Sequence, residues 1–308
     1  MIKKNIDITD YSNFHTKAIA KNFYEFNWDI KELKIILKKF KNYKKLFISW
    51  WTNLLFAFNV FNWLVIKFND YKLNTNYNYN WYKSYFWNAI KWKFILKDNI
   101  LEISGFEYIS NIAEILFREN LSYTWKRFIW LPWTIAWAVV WNAWCFWLEI
   151  MNTFLKAEVL DLEDLELKII SKEHTNFSYR NSIFKTWKFI ILKVWFNLSS
   201  KEEKYWFTWK VLDIINFRKN IQPKWFSCWS FFKNPSKDNS AWKLIELVWL
   251  KWYKIWWAYF SGKHANFLMS DWTAKWEDLI SLKNLAQRKV KTEFKIELIP
   301  EVNIIYNN

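Results

Sequence analysis

The sequence predicts an α+β protein of two or three domains, and three observations carry that expectation. Helix-period and strand-period segments alternate up to about Leu198, the pattern turns to helices from about Ser199, and the turns fall at short clusters suited to small residues. At 308 residues the chain is long enough for each domain to bury its own core.

In the first region, to about residue 70, Leu33, Ile36, Leu37 and Phe40 recur at helical spacing and predict a helix over Asp29 to Lys41. The lysines between Lys31 and Lys45 then form its solvated face. Strands are predicted at Lys45 to Ser49 and Leu64 to Phe68, with a tight turn at 49 to 53. The Asn/Tyr-rich stretch from Asn69 to Tyr85 reads as a linker. The second region shows strands at Lys93 to Leu96, Ile100 to Ser104, Ala157 to Leu160, Leu165 to Ile170 and Lys188 to Leu198, with a helix over Glu107 to Arg118. Beyond Ser199, helices are predicted at Lys210 to Lys219, Ala241 to Val248 and Glu277 to Thr292. In the last, Leu279, Leu282, Ala286 and Val290 make an apolar stripe that reads as core. A final strand at Lys295 to Leu298 leads into Pro300 and Glu301.

Composition is the strongest single signal. The chain holds 27 Trp and 2 Gly, where about 22 Gly is usual for this length at ~7%. Many of the tryptophans stand in turn-like stretches: Trp50-Trp51-Thr52-Asn53, Trp130-Leu131-Pro132-Trp133, Trp137, Trp141-Asn142-Ala143-Trp144 and Trp256-Trp257. The pattern suggests a gene that reads UGA as glycine, written here as tryptophan. Trp276, opening a regular helix, is the best candidate for a genuine tryptophan, with Trp28 and Trp81 undecided.

That reading bears on the membrane question. Phe128 to Leu148 is long and apolar enough as written to span a bilayer. With glycines restored, 130 to 147 reads GLPGTIAGAVVGNAGCFG, which is rich in turns, and no insertion is expected. The net charge of +16 is spread along the chain and points to base composition rather than a nucleic-acid stripe. Met1-Ile2-Lys3-Lys4 is followed by polar residues, so no signal peptide is expected and the cytoplasm is the expected compartment. Cys145 and Cys228 lack metal-ligand spacing, and neither a disulfide nor a metal site is expected.

With glycine restored at 50 and 51, the turn at 49 to 53 would let successive backbone N–H groups approach an anion such as a dinucleotide pyrophosphate, with Thr52 and Asn53 adding side-chain bonds, whereas literal Trp50 and Trp51 would obstruct it. The segment 130 to 147 extends this, Pro132 fixing one turn. The bland readings are a plain turn for the first and a cap for Asn142.

With glycine restored, six ordered segments resemble the UDP-N-acetylenolpyruvoylglucosamine reductase family in its compact form: SGGTNLL at 49 to 55, GLPGTIAGAVVGNAGCFG at 130 to 147, YRNSIFK at 179 to 185, GSFFKNP at 229 to 235, HANF at 264 to 267 and PEV at 300 to 302. Phe14-His15-Thr16-Lys17-Ala18, without a glycine pair, departs from the family's N-terminal pattern. The resemblance implies a two-lobed FAD-binding region of the vanillyl-alcohol-oxidase-like type plus a C-terminal α+β substrate domain. The first lobe would be 1–70, the second 71–198, the substrate-binding domain 199–295, and 296–308 a strand and tail returning to the site. It implies FAD and NADPH as cofactors and UDP-N-acetylglucosamine enolpyruvate as the substrate, reduced to UDP-N-acetylmuramate for peptidoglycan. Flavin contacts are implied for Ser49, Trp50, Trp51, Thr52, Asn53, Pro132, Trp133, Thr134, Ala138 and Asn142, with Ile135 and Val139 nearby. Ser230 is implied as proton donor, with Arg180 and Glu301 stabilising charge; Tyr179, Lys233 and Asn234 are implied as substrate contacts. His264 is expected to bind or support rather than catalyse, and Cys228 to pack. Alternatives are another FAD-dependent oxidoreductase on the same flavin region, or a Trp-rich basic membrane-surface protein if every Trp is literal.

Overall fold

Helix Ile30–Lys39 shows how local sequence builds this protein. Asp29 caps it, its carboxylate accepting the N–H groups of Lys31 and Glu32 at 2.9 and 3.0 Å, while Leu33, Ile36 and Leu37 turn inward and Lys38 and Lys39 sit in the last turn. The computed structural model describes residues 1–27, 29–40, 46–48, 54–68, 94–131, 133–198, 210–223, 226–271 and 273–306. The predicted linker at 69 to 85 lies outside the described residues, as do Trp28 and Trp81.

The chain divides into two compact units, one made of Met1–Tyr24, Thr52–Val65 and Ile215–Asn308, the other of Glu25–Trp51 and Ile66–Ile214. In the second, five antiparallel strands run in the order Leu167–Ser171, Phe154–Asp161, Phe189–Asn197, Ile100–Ser104, Phe94–Lys97. Each covers or adjoins its predicted span. Helix Ile109–Arg118 buries Ile109, Ile112, Ala113, Ile115 and Leu116.

In the other unit, strands Phe226–Ser230, Phe267–Ser270, Ala258–Phe260 and Lys254–Ile255 form an antiparallel sheet in that order. The expected helical character after Ser199 is therefore incomplete, because these strands are short and carry no sustained alternation. Helix Trp276–Phe294 buries Leu279, Leu282, Ala286 and Val290 completely, as the stripe predicts, each larger side chain contributing about 1.5–3 kcal/mol.

The expected final strand is corrected. No strand forms at Lys295 to Leu298: Lys295 takes a left-handed conformation (φ 59°) that ends the helix, and the strand lies at Asn303–Tyr306, parallel to Leu54–Ala57. Within 130 to 147, Ile135–Val140 forms a short helix whose six residues are all buried. Among the described residues, no helix is long and apolar enough to cross a membrane.

Candidate functional site

Among the described residues of 130 to 147, the short helix Ile135–Val140 is followed by a turn at Trp141 and Asn142 and by strand Trp144–Cys145, which pairs antiparallel with Leu148–Glu149. Thr134 opens the helix, its Oγ1 accepting the N–H of Trp137 at 3.2 Å. Backbone bonds from Ile135 to Glu107 and from Ala136 to Gly105 pin this start against the loop after strand Ile100–Ser104. Gly105 permits the contact: a β-carbon there would lie 2.6 Å from the Ile191 carbonyl oxygen and 3.1 Å from the Ala136 β-carbon. Ala138 is fully buried and Trp133 nearly so. Ser49, Trp50, Trp51, Thr52, Asn53 and Pro132 lie outside the described residues.

Asn142 closes the turn after the helix. Its Nδ2 donates to Glu149 Oε2 at 2.7 Å and to the Ser178 carbonyl at 3.2 Å, while Oδ1 accepts the Met151 N–H at 3.1 Å. With 1% exposure and these bonds, the amide holds the turn together.

Tyr179 and Arg180 occupy the tip of a two-residue turn closed by reciprocal backbone bonds between Ser178 and Asn181, both 3.1 Å. The Arg180 guanidinium lies 5.7 Å from the Tyr179 ring centre. Ser182 Oγ donates to the Val140 carbonyl at 2.7 Å, and Asn142 reaches the Ser178 carbonyl. Two segments singled out by sequence, 130 to 147 and 179 to 185, are thus joined inside one unit.

Ser230, Lys233, Asn234 and Glu301 belong to the other unit. Ser230 ends strand Phe226–Ser230, opposite Phe267, after an irregularity in register and a left-handed Trp229 (φ 68°). The next residues are held from two sides. Phe231 N–H donates to the Asn266 carbonyl at 2.8 Å, while Asn266 Oδ1 accepts the Phe232 N–H at 2.9 Å and its Nδ2 donates to the Phe232 carbonyl at 2.8 Å. Opposite, Glu301 N–H donates to the Phe231 carbonyl at 2.8 Å and Lys233 N–H to the Ile299 carbonyl at 2.9 Å. Ser230, Lys233 and the buried Glu301 thereby share one locality. Asn234 Oδ1 accepts the Ala241 N–H at 3.0 Å, at the start of helix Ala241–Leu247.

Cys228 is fully buried, and desolvation, with the charge of Glu301 adding, pushes its thiol well above the usual range. It packs. Burial likewise lowers the His264 pKa, and its Nδ1 accepts the Asn266 N–H at 3.3 Å. Sequence reasoning passed over Asn266, although it stands in the HANF segment; a fully amide-dependent clamp has no signature until its distant partner is known.

Comparison with known proteins defines the class first. The fold matches that of a crystallised UDP-N-acetylenolpyruvylglucosamine reductase (MurB) from Thermus caldophilus, with a TM-score of 0.69 over 99% of both chains at 20% identity. Residues 222–305 match the family model described as UDP-N-acetylenolpyruvoylglucosamine reductase, C-terminal domain. Reductases of that name are similar in sequence: one from Caldanaerobacter subterraneus is 34% identical over 66% of this chain and 65% of its own length, and one from Bacillus pumilus is 30% identical over 68% and 69%. A third, from Caldicellulosiruptor saccharolyticus, is 38% identical over 57% of this chain and 56% of its own length. The chain belongs to the UDP-N-acetylenolpyruvoylglucosamine reductase family. Its matches to the first of these relatives span less than two thirds of their lengths.

Proposed function

We propose that this chain is an FAD- and NADPH-dependent cytoplasmic reductase that converts UDP-N-acetylglucosamine enolpyruvate to UDP-N-acetylmuramate for peptidoglycan synthesis. The observation that carries this reading is the backbone bond from Glu301 to Phe231, which fastens a buried carboxylate beside the residue following Ser230. In functional terms 1–70 and 71–198 would serve as flavin lobes, 199–295 as substrate domain, and 296–308 as the segment bringing Glu301 back.

The fit to a flavin turns on the tryptophans around helix Ile135–Val140. The N–H groups of Ile135, Ala136 and Trp137 at the helix start are already bonded, to Glu107, Gly105 and Thr134, and as written the rings of Trp137, Trp141 and Trp187 crowd together there, with centroids 5.6 and 6.1 Å from that of Trp137. The indoles as written do not fit such a group; glycine at 137, 141 and 187 would remove them. A flavin reduced by NADPH would supply the hydride to the vinyl carbon.

The remaining work falls to side chains. Ser230 would give its hydroxyl proton to the carbon beside the ether oxygen, a role worth about 10²–10⁴-fold in rate for a positioned acid. Arg180, with a planar donor fork, suits the substrate carboxylate, and Glu301 the enolic charge distribution. Tyr179, Lys233 and Asn234 would contact the rest of the substrate, the last two toward the diphosphate. Ser230→Ala, made from a gene with glycine at the recoded positions, tests this. Substrate reduction is expected to fall by about 10²-fold or more with flavin binding and NADPH oxidation retained; unchanged substrate turnover removes Ser230 from the chemistry.

A further inference from the structure

The geometry points to glycine, rather than tryptophan, at seven named positions of the natural protein. Trp130, Trp147, Trp187, Trp229, Trp249, Trp252 and Trp256 all have left-handed backbones, with φ between 49° and 74°. A β-carbon and large ring disfavour that region, which glycine enters freely. Of the two glycines in the chain, neither has a positive φ. Seven of the eighteen described residues at positive φ are Trp, against five Asn, the side chain that otherwise enters this region most readily, and none is Gly. Solvent exposure agrees: Trp249, Trp252 and Trp256 are 87%, 69% and 76% exposed around the short hairpin of Lys254–Ile255 and Ala258–Phe260. Read literally they make an aromatic, basic surface; read by backbone they are three turn glycines. The Trp252 ring also lies 1.7 Å from where a β-carbon on Gly262 would be, so this indole presses directly on one of the two remaining glycines. Trp195 contrasts with these. It sits in a strand, donates from its indole to Glu102 at 3.1 Å and carries Lys156 over its ring, so its side chain is used.

This conclusion rests on backbone conformation and does not depend on the proposed reaction. The test is the codon at each of the seven positions, with tandem mass spectrometry of the protein from its source organism. UGA codons and glycine masses are expected throughout. UGG codons, or indole-bearing peptides across 249 to 256, overturn it. As a second readout, substituting glycine at all seven in the chain as written should raise its denaturation midpoint, and a lowered midpoint counts against the assignment.

A separate observation concerns Asn266, and here we infer a positioning residue whose role rests on the proposed reductase reading. Asn266 makes three hydrogen bonds to the two residues that follow Ser230, using its carbonyl, Oδ1 and Nδ2. It is 2% exposed, so those bonds are made away from the surface. Because Glu301 is bonded to the opposite side of Phe231, Asn266 sets the height of Ser230 and Glu301 together. Neither an apolar residue nor a carboxylate reproduces the pair of bonds to Phe232, which needs one acceptor and one donor on one rigid plane.

Asn266→Ala and Asn266→Asp separate this role from mere folding support. Both variants should bind flavin and oxidise NADPH at the parent rate, while substrate reduction slows about tenfold or more, as small misplacements near reacting atoms do. The Asp variant keeps the acceptor and regains the donor only when protonated, so its substrate turnover should rise relative to the parent as pH falls. Equal slowing of both half-reactions, or unchanged substrate turnover, overturns the assignment. Absence of enolpyruvyl reduction in the unsubstituted protein overturns the reductase reading itself, and the positioning role with it.

Discussion

The carbonyl of Phe231 accepts the backbone N–H of Glu301 at 2.8 Å, joining residues seventy positions apart in the chain. The bond uses main-chain atoms alone, so either side chain can be changed while the link remains.

Glu301→Gln is the cleanest probe of the buried carboxylate. The amide is nearly isosteric and the backbone bond is untouched, so the fold should persist. Substrate reduction is expected to drop about 10²-fold, the size of a lost charge-stabilising group, while NADPH oxidation by the flavin stays unchanged in stopped-flow measurements. A drop in both phases would point to a structural role.

Gly105→Ala should destabilise the unit that contains it. The added β-carbon would meet the Ile191 carbonyl at 2.6 Å, a backbone atom that cannot rotate away. A loss of about 1–3 kcal/mol is expected, as for overpacked cores, measured as a lower urea midpoint with unchanged slope.

His264 predicts a pH dependence with a definite sign. Burial lowers its pKa below the ordinary value of 6.5, so the folded protein disfavours the charged ring. Its contribution to stability is complete above that value and is lost as pH falls through it toward the folded-state pKa, because unfolding then takes up a proton. Denaturant midpoints measured from pH 7.5 down to about 5 should decline, and His264→Gln should flatten the decline. An equal slope in the variant assigns the effect elsewhere.

Cys228 should resist thiol reagents in the folded state. Its buried thiol is held protonated by desolvation and by the charge of Glu301, and the thiolate is the reactive form. Modification is expected only at the rate of unfolding, and rapid labelling of native protein at pH 8 would contradict this.

Much of the secondary structure was legible before any coordinates. Helices Ile30–Lys39, Ile109–Arg118 and Trp276–Phe294 follow from apolar residues repeating at helical spacing, and strand Phe189–Asn197 from a stretch dominated by β-branched and aromatic residues. The short strands between Lys254 and Ser270 escaped notice because two to four residues carry no measurable period. The ordered motifs single out Ser230, Arg180 and Glu301 as candidates, of which the structure places Ser230 and Glu301 in one unit and Arg180 in the other. Asn266 was not singled out, since its partner Phe232 lies thirty-four residues away.

The sequence by itself determined the helices, the longer strands, the family resemblance and the surplus of tryptophan over glycine, all properties of local order or composition. Only the tertiary structure decided that Asn303–Tyr306 pairs in parallel with Leu54–Ala57, that Glu301 is fastened beside Ser230, and which tryptophans stand on left-handed backbone. Those are facts about chain direction and long-range hydrogen bonding. Neighbouring residues do not encode them, because their energy is realised only when segments distant in the chain meet.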